Sequence, residues 1–412
     1  MTYRSRIPNL THLRVFERVA ATGSISRAAE QVGRSQPAVT LALRKLEQFL
    51  GAELLDRRRS GSYLTGEGEI FLVRAQRLFE QIDRALLNPL VGAPFADPDK
   101  LPALRSKIAA GHISALIAVN EHETLEMAAH ALELSKPSLY RTTQELEKIV
   151  ARSLFNRTIR GFSPNRAGAE LARRFSIALR EIDYAMEEIE GSRGSIASRI
   201  LIGAMPLCGM QLLTDAIKDL LVEFPNSHVA VEDGPYVPLL ANLRHGRIDF
   251  LYGVLRKPDW AEDVEETALF YDPYSIAVRA KHPLTKKPEV TLEDLAQYDW
   301  IMPRRGTPRR LAFDRLFAGH QKPPTSSIET SSLEFQRSML NASDRITLMT
   351  EHEARIQFDA GVLTTIPFSG LRPRANDGIV TRRDWQPTIV QKRFLELLTA
   401  RAAQLEHPVL AA

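Results

Sequence analysis

Displaced by 100 residues, the first half of the chain matches itself without a gap, and this repeat constrains the fold more than any other feature. Ala28-Ala29 recurs as Ala128-Ala129, and Ser35-Gln-Pro-Ala-Val as Ser135-Lys-Pro-Ser-Leu. Leu46-Glu47 matches Leu146-Glu147, Leu54 and Arg57 match Leu154 and Arg157, Gly68 matches Gly168, and Ile82-Asp83 matches Ile182-Asp183. The matches fall at turns, caps and core positions, so the same small fold is expected twice, over 1–87 and 103–190. Between the copies, residues 88–102 hold four prolines and read as an extended linker. Gly191 to Ser198 reads as a second linker, which leaves 199–412 as a further domain of ordinary size.

In the first copy, Leu10, Leu13, Phe16 and Ala20 share one helical face. Thr22-Gly-Ser ends that helix, and a serine at 24 or 26 can cap the next. Gly33 turns the chain, Ser35 is a good N-cap, and Pro37 is tolerated because first-turn amides have no helical partner. Val39, Leu43, Leu46 and Leu50 form the buried stripe of the third helix, with Gln36, Thr40, Arg44 and Gln48 opposite. Short helix, tight turn and second helix with a polar outer face make a helix-turn-helix. The start of that second helix (Ser35, Gln36, Pro37) would enter the major groove of double-stranded DNA. There Gln36 would read adenine and Thr40 a base edge or a thymine methyl. Arg57, Arg58 and Arg59 precede a turn and fit a basic wing that holds phosphates. From Gly68 to Leu87 a long helix suits dimerisation between two chains.

Charge agrees with this placement. Residues 1–96 carry 14 Lys+Arg against 9 Asp+Glu, residues 97–198 carry 14 against 14, and residues 199–412 carry 26 against 27. The surplus therefore lies where a polyanion would bind. The single cysteine, Cys208, excludes an intrachain disulfide and a multi-cysteine metal site. The first residues lack the apolar core of a secretion signal, and no stretch has the length and apolarity of a membrane span. A cytoplasmic protein that does not enter membranes is expected.

The stretch Gly23-Ser-Ile-Ser-Arg-Ala-Ala-Glu-Gln-Val-Gly-Arg-Ser-Gln-Pro-Ala-Val-Thr, with Leu46-Glu47, Leu50-Gly51, Leu54-Leu55, Arg57 and Leu64-Thr65 before Gly68, resembles the winged helix-turn-helix of LysR-type transcriptional regulators. One departure is plain. Where that family usually has polar or basic residues after the start of the recognition helix, this chain has Leu41 and Ala42. Base readout would then rely on Gln36, Thr40 and apolar contacts.

The second copy follows the same plan, with Thr143 in place of a core leucine. Its outer face holds Lys136, Tyr140, Arg141 and Gln144, and its wing holds Arg157 and Arg160. Residues 134–174 carry 9 Lys+Arg against 3 Asp+Glu, whereas 34–74 carry 7 against 5. Copy two is therefore either a second DNA reader or a retained scaffold for dimerisation and spacing, and its charge favours the first. The resemblance is silent here, since LysR-type proteins ordinarily have one such module.

From Arg199 the pattern alternates strands and helices: Ile200 to Ala204, a helix through Leu212 to Leu221, Val229 to Val231, a helix ended by Gly246, and Ile248 to Tyr252. A parallel sheet with helices on its faces is expected, with ligands beyond the carboxyl ends of its strands. The fold class is α/β multidomain: two tandem all-α winged helix-turn-helix modules, then a two-lobed α/β domain. Gly246-Arg-Ile-Asp249, Ala277-Val-Arg-Ala-Lys-His-Pro283 and Leu292-Glu-Asp-Leu before Trp300 are similar to the LysR-type effector domain, itself like periplasmic binding proteins. Trp300-Ile-Met-Pro-Arg-Arg-Gly-Thr-Pro-Arg309 resembles the subgroup typified by the galactose-binding-protein regulator. The resemblance implies lobe I over about 199–271 and 372–408, and lobe II over about 272–371. It also implies a cleft site built from Leu207 and Cys208, from Arg305, Gly306 and Thr307, and from Thr330, Ser331 and Ser332. Hydroxyls, glycine amides and arginines there suit a small carboxylate effector, with a neutral sugar still open. Leu207, where the family offers Ser or Thr, suggests an apolar ligand end. Alternatively, Arg304, Arg305, Arg309 and Arg310 form a solvated surface cluster.

No Walker loop, dinucleotide fingerprint, nucleophile elbow or zinc-protease motif is present, and Ile356 stands where His352-Glu353 would need a second histidine. Neither an enzyme, a cofactor nor a metal is expected. The reading is a regulator, homodimeric or tetrameric, whose effector shifts DNA bending or RNA polymerase contact. The alternative is a ligand-responsive interaction protein whose repeated modules, one or both, bind protein instead of DNA.

Overall fold

The computed structural model describes residues 7–59, 61–88, 90–91, 101–158, 161–193, 198–206, 209–257, 260–324, 327–330, 332–358, 361–371 and 376–405, without the side chains of 157, 158, 161 and 355–358. The chain divides into two compact units, Met1–Ile200 with Asn226–His228 and Arg244–Arg247, and the remainder from Leu201 onward.

In the first unit, α1 (Leu10–Thr22), α2 (Ile25–Gln31), α3 (Gln36–Leu50), β1 (Leu55–Arg58), β2 (Gly61–Leu64) and α4 (Gly66–Leu87) make the first copy. After α5 (Leu101–Lys107) the same order returns as α6 (Ala110–Glu121), α7 (Leu125–Ala131), α8 (Lys136–Val150), β3 (Phe155–Thr158), β4 (Gly161–Pro164) and α9 (Arg166–Ser192). Two expectations change. Each copy carries a two-stranded antiparallel hairpin, Leu55 opposite Leu64 and Phe155 opposite Pro164, so the copies are not all-α. Helix α5 also starts inside the expected linker, because Pro102 sits in a first turn where its missing N–H costs nothing.

The repeated residues have repeated jobs. Ser35 and Ser135 cap α3 and α8 by accepting from Ala38 N (3.4 Å) and Ser138 N (3.3 Å). The Glu47 and Glu147 carboxylates accept from the amides of Leu54 (3.2 Å) and Leu154 (2.7 Å), fixing the chain as it enters the hairpin. Gly68 and Gly168 lie against the carbonyl oxygens of Leu54 and Leu154, where an added Cβ would stand 2.1 Å away. Only glycine permits that approach.

The apolar faces of α4 and α9 merge into one core, while Ala115, Ala128, Leu132 and Leu139 of the second copy belong to a separate cluster. Phe71, Ala75, Leu78 and Ile82 of α4 join Leu171, Phe175, Ala178, Ile182 and Ala185 of α9 in a single buried cluster. The face of α4 suited to pairing between copies of the chain is thus covered by α9 of the same chain.

The second unit has two lobes. In the first, β5 (Arg199–Ala204), α10 (Met210–Glu223), β6 (His228–Asp233), α11 (Tyr236–Arg244), β7 (Phe250–Val254) and β8 (Val264–Phe270) lead into the second lobe. That lobe runs through β9 (Tyr274–Arg279), α12 (Leu292–Ala296), β10 (Ile301–Met302), α13 (Pro308–Leu316), β11 (Ile328–Glu329), α14 (Leu333–Asn341), β12 (Thr347–Thr350), α15 (Glu351–Phe358) and β13 (Leu363–Ile366). The chain then returns as β14 (Asp377–Arg382) and α16 (Ile389–Ala402). The larger sheet has the order β6-β5-β7-β14-β8, with β5 parallel to β7 and β14 antiparallel to β7 and β8. It is mixed, not purely parallel, because the returning strand enters from the second lobe in the opposite sense. The smaller lobe holds a β12-β9-β13 antiparallel sheet beside the parallel pair β10-β11.

Several family-like motifs turn out to be architectural. Thr291 and Asp294 form a reciprocal cap on α12, and buried Trp300 donates to the Leu295 carbonyl (3.0 Å) while packing on Phe313 and Phe317. His282 is fully buried and accepts from Leu284 N, with burial pushing its pKa down.

Candidate functional site

Helix α3 has one wet face and one dry face. Val39, Ala42, Leu43, Leu46 and Leu50 are buried, while Gln36, Pro37, Leu41, Arg44 and Gln48 are exposed. Thr40 is partly covered and its hydroxyl donates to the Gln36 carbonyl (3.0 Å). Of the two apolar residues after it, Ala42 belongs to the core and Leu41, 54% exposed, lies on the outer face. In the hairpin, Arg57 pairs with Glu47 (2.8 Å) and so ties the hairpin to α3. Arg58 pairs with Asp56 and covers the Tyr63 ring, and Arg59 is exposed.

The second copy presents Lys136, Tyr140, Arg141 and Gln144 outward from α8, with Leu139, Thr143, Leu146 and Val150 inward. The Thr143 hydroxyl is satisfied by the Tyr140 carbonyl (2.8 Å), which makes a threonine tolerable in the core. Lys136 is ion-paired with Glu126 of α7, so the acidic approach to α8 offsets part of its charge. Tyr140 meets Phe162 of β4 edge-on at 5.5 Å, an aromatic brace between helix and hairpin. Arg157 lies in β3 with its side chain outside the described residues, as is the whole of Arg160.

The second unit contains a cleft of about 490 Å³ between its lobes. Arg304, Arg305, Gly306, Thr307 and Arg309 line it from the second lobe, and Met205, Pro206, Asp233, Tyr236 and Arg256 from the first. Gly306 has φ 79°, a left-handed turn that opens α13, and Thr307 caps that helix by accepting from Arg310 N (3.3 Å). Arg304 and Arg305 are exposed at the cleft, whereas Arg309 is buried and grips Glu353 through both carboxylate oxygens (2.6 and 2.7 Å). Burial pushes Glu353 up, against the opposing pull of Arg309. Arg310 faces Asp314 instead (2.8 Å).

Thr330 and Ser332 serve the local backbone. Thr330 Oγ1 accepts from Ser332 N, and Ser332 caps α14 through Phe335 N. Neither lines the cleft; Gln336, one turn further along α14, does. Leu207, Cys208 and Ser331 lie outside the described residues. Gln336 is fully buried, its Nε2 donates to the Thr330 carbonyl (3.2 Å), and its Oε1 has no hydrogen-bond partner among the described residues. Sequence reasoning missed Gln336, Tyr236 and Arg256, which come from three distant segments without a shared local pattern. Tyr236 is buried with its hydroxyl 3.4 Å from Glu266, and burial with that carboxylate pushes the phenol up, so it stays protonated. The Arg256 guanidinium stacks over the Tyr236 ring at 4.5 Å. Among the described residues no cluster of three or more His, Cys, Asp or Glu is placed to hold a metal, and no helix is long and apolar enough to cross a membrane.

Helix-turn-helix elements with exposed helix faces in one unit and a lined cleft in the other are the parts of a DNA-binding regulator with a ligand-binding domain. The family profile of the bacterial regulatory helix-turn-helix protein, lysR family, matches residues 10–69 and again 111–169. That of the LysR substrate binding domain matches residues 193–403. The chain belongs to the LysR family of transcriptional regulators. It is 30% identical over 364 residues to the HTH-type transcriptional regulator GalR of Pseudomonas putida, covering 88% of this chain and 89% of that one. It is 24% identical over 295 residues to the HTH-type transcriptional regulator PcaQ of Agrobacterium fabrum, covering 71% of this chain and 95% of that one. A full-length OxyR variant from Pseudomonas aeruginosa shares the fold with a TM-score of 0.50, at 20% identity over 72% of this chain and 95% of that one.

Proposed function

We propose that both copies are winged helix-turn-helix modules that contact double-stranded DNA, and that a small molecule in the cleft of a periplasmic-binding-protein-like domain alters those contacts. The carrying observation is the split of α3 and α8 into a fully buried stripe and an exposed polar start, each beside a hairpin. Gln36, Leu41 and Arg44 would read one segment, and Tyr140, Arg141 and Gln144 another, with the arginine-bearing hairpins on phosphates. The chain works in the cytoplasm, and assembly of copies and contact with RNA polymerase belong to the same reading.

The cleft favours a small carboxylate with an apolar body and a hydroxyl. Arg304 and Arg305 supply exposed cations, Met205, Pro206, Tyr236 and Tyr274 supply apolar walls, and Gln336 Oε1 would accept from a ligand donor. Binding to a fragment from upstream of the protein's own gene tests the reading. A steep fall of affinity with salt, shifted by a hydroxylated carboxylate, supports it. Salt-independent binding favours protein interaction, and a response only to neutral sugars overturns the carboxylate.

A further inference from the structure

Helices α4 and α9 occupy equivalent places in the repeat, yet the middle of their contact has diverged into a basic side on α4 and an acidic side on α9. They run antiparallel. Glu67 near the start of α4 meets Arg193 just past the end of α9 (2.5 Å), and Asn88 just past the end of α4 meets Glu170 near the start of α9 (3.4 Å). Between them Arg74 bonds Glu188 (2.7 and 2.8 Å) and Glu181 (3.0 Å), and Arg77 bonds Glu181 (3.1 Å). Arg74 and Glu181 are almost wholly buried.

Equivalent helices packed antiparallel approximate a two-fold pair, in which each contact should recur with its partners exchanged. Here it does not. The positions equivalent to Glu181 and Glu188 are Gln81 and Asn88, and the position equivalent to Arg77 is Ile177. Arg174, the counterpart of Arg74, bonds Glu170 within its own helix (2.6 Å). If two copies of the chain paired α4 on α4 in the same geometry, each buried Arg74 would face Gln81 and Asn88 and lose both carboxylates. A buried cation without its partner is strongly disfavoured. Residues 88–100 also tether the two halves, raising the effective concentration of α9 around α4.

We propose that α4 and α9 make the chain its own dimer partner, so that one copy presents two unlike reading helices to a DNA site of two unlike half-sites. The half-sites differ because Gln36, Thr40, Leu41 and Arg44 on α3 correspond to Lys136, Tyr140, Arg141 and Gln144 on α8. This rests on the reading that α8 contacts DNA. Copies of the chain that assemble do so through surfaces other than the α4–α9 seam.

The test is a charge exchange in the full-length protein, read by binding to the fragment upstream of its own gene and by thermal unfolding. Arg74→Glu with Arg77→Glu, and Glu181→Arg with Glu188→Arg, each weaken binding by roughly a hundredfold or more. All four changes in one chain restore both binding and the unfolding transition. The two one-sided variants, coexpressed with different tags, restore neither. Restoration by coexpression would place the helix pair between chains and overturn the proposal, as would failure of the quadruple variant to recover. Failure of the underlying reading looks different: the quadruple variant recovers, but Lys136→Ala with Arg141→Ala leaves the protected DNA unchanged. That outcome overturns the two unlike half-sites and makes copy two a brace.

Discussion

Arg74 of α4 and Glu188 of α9, 114 residues apart in sequence, meet in a two-pronged ion pair at 2.7 and 2.8 Å. Burial disfavours the Arg74 charge, but hydrogen bonds and charge from Glu188 and Glu181 outweigh it and hold the guanidinium above its ordinary range. Such a pair adds little over well-packed apolar residues, yet breaking it leaves buried carboxylates stranded. Arg74→Ala is therefore expected to destabilise the first unit by about 3–5 kcal/mol, measured by urea unfolding.

Two glycines of the first copy have been replaced in the second without a change of backbone. Gly33 and Gly51 have φ near 60°, and their counterparts Glu133 and Ala151 keep φ 54° and 50°. A side chain in that region is strained, so Ala151→Gly should raise stability by about 1 kcal/mol. Gly51→Ala should lower it by a similar amount. Equal effects of the two substitutions on the melting temperature, in opposite directions, are the expected result.

Glu170 is held at about 2: burial pushes its carboxyl up, but hydrogen bonds and charge from Arg173 and Arg174 win. Its folded value lies below its ordinary 4.5, so its contribution is complete above 4.5 and is lost as pH falls toward 2. Urea midpoints of the wild type and Glu170→Gln should differ at neutral pH and converge across that window. A constant difference down to pH 2 would contradict the assignment.

In the cleft, Gln336→Met keeps the volume and removes the free acceptor. Affinity for a hydroxylated carboxylate should fall about tenfold by calorimetry, with no loss for the same acid lacking the hydroxyl. Equal losses for both acids would show that Gln336 acts only through packing.

Much of the first unit was legible in the sequence because its signals are local. Ser35, Gly51 and the spacing of Val39, Leu43, Leu46 and Leu50 specify a capped amphipathic helix by themselves, and the repeat doubled each signal. The seam was not legible. A stripe such as Phe71, Leu78 and Ile82 states that a face is buried, not which helix buries it, and Gln81 and Asn88 read as ordinary polar residues until compared with their counterparts Glu181 and Glu188, which hold Arg74. In the cleft, the Gly306-Thr307 turn could be named from its resemblance to a known family. Thr330 and Ser332 serve the local backbone, because hydroxyls that suit a ligand suit a helix cap equally well. Gln336 carried no local signal, since its meaning depends on which polar groups the two lobes leave unsatisfied.

The most direct measurement is a footprint on the DNA upstream of the gene, comparing wild type with Gln36→Ala/Thr40→Ala and with Lys136→Ala/Arg141→Ala. Two protected segments of unlike sequence, one erased by each pair of substitutions, are the expected result. A single dyad-symmetric site that responds only to the first pair would contradict it.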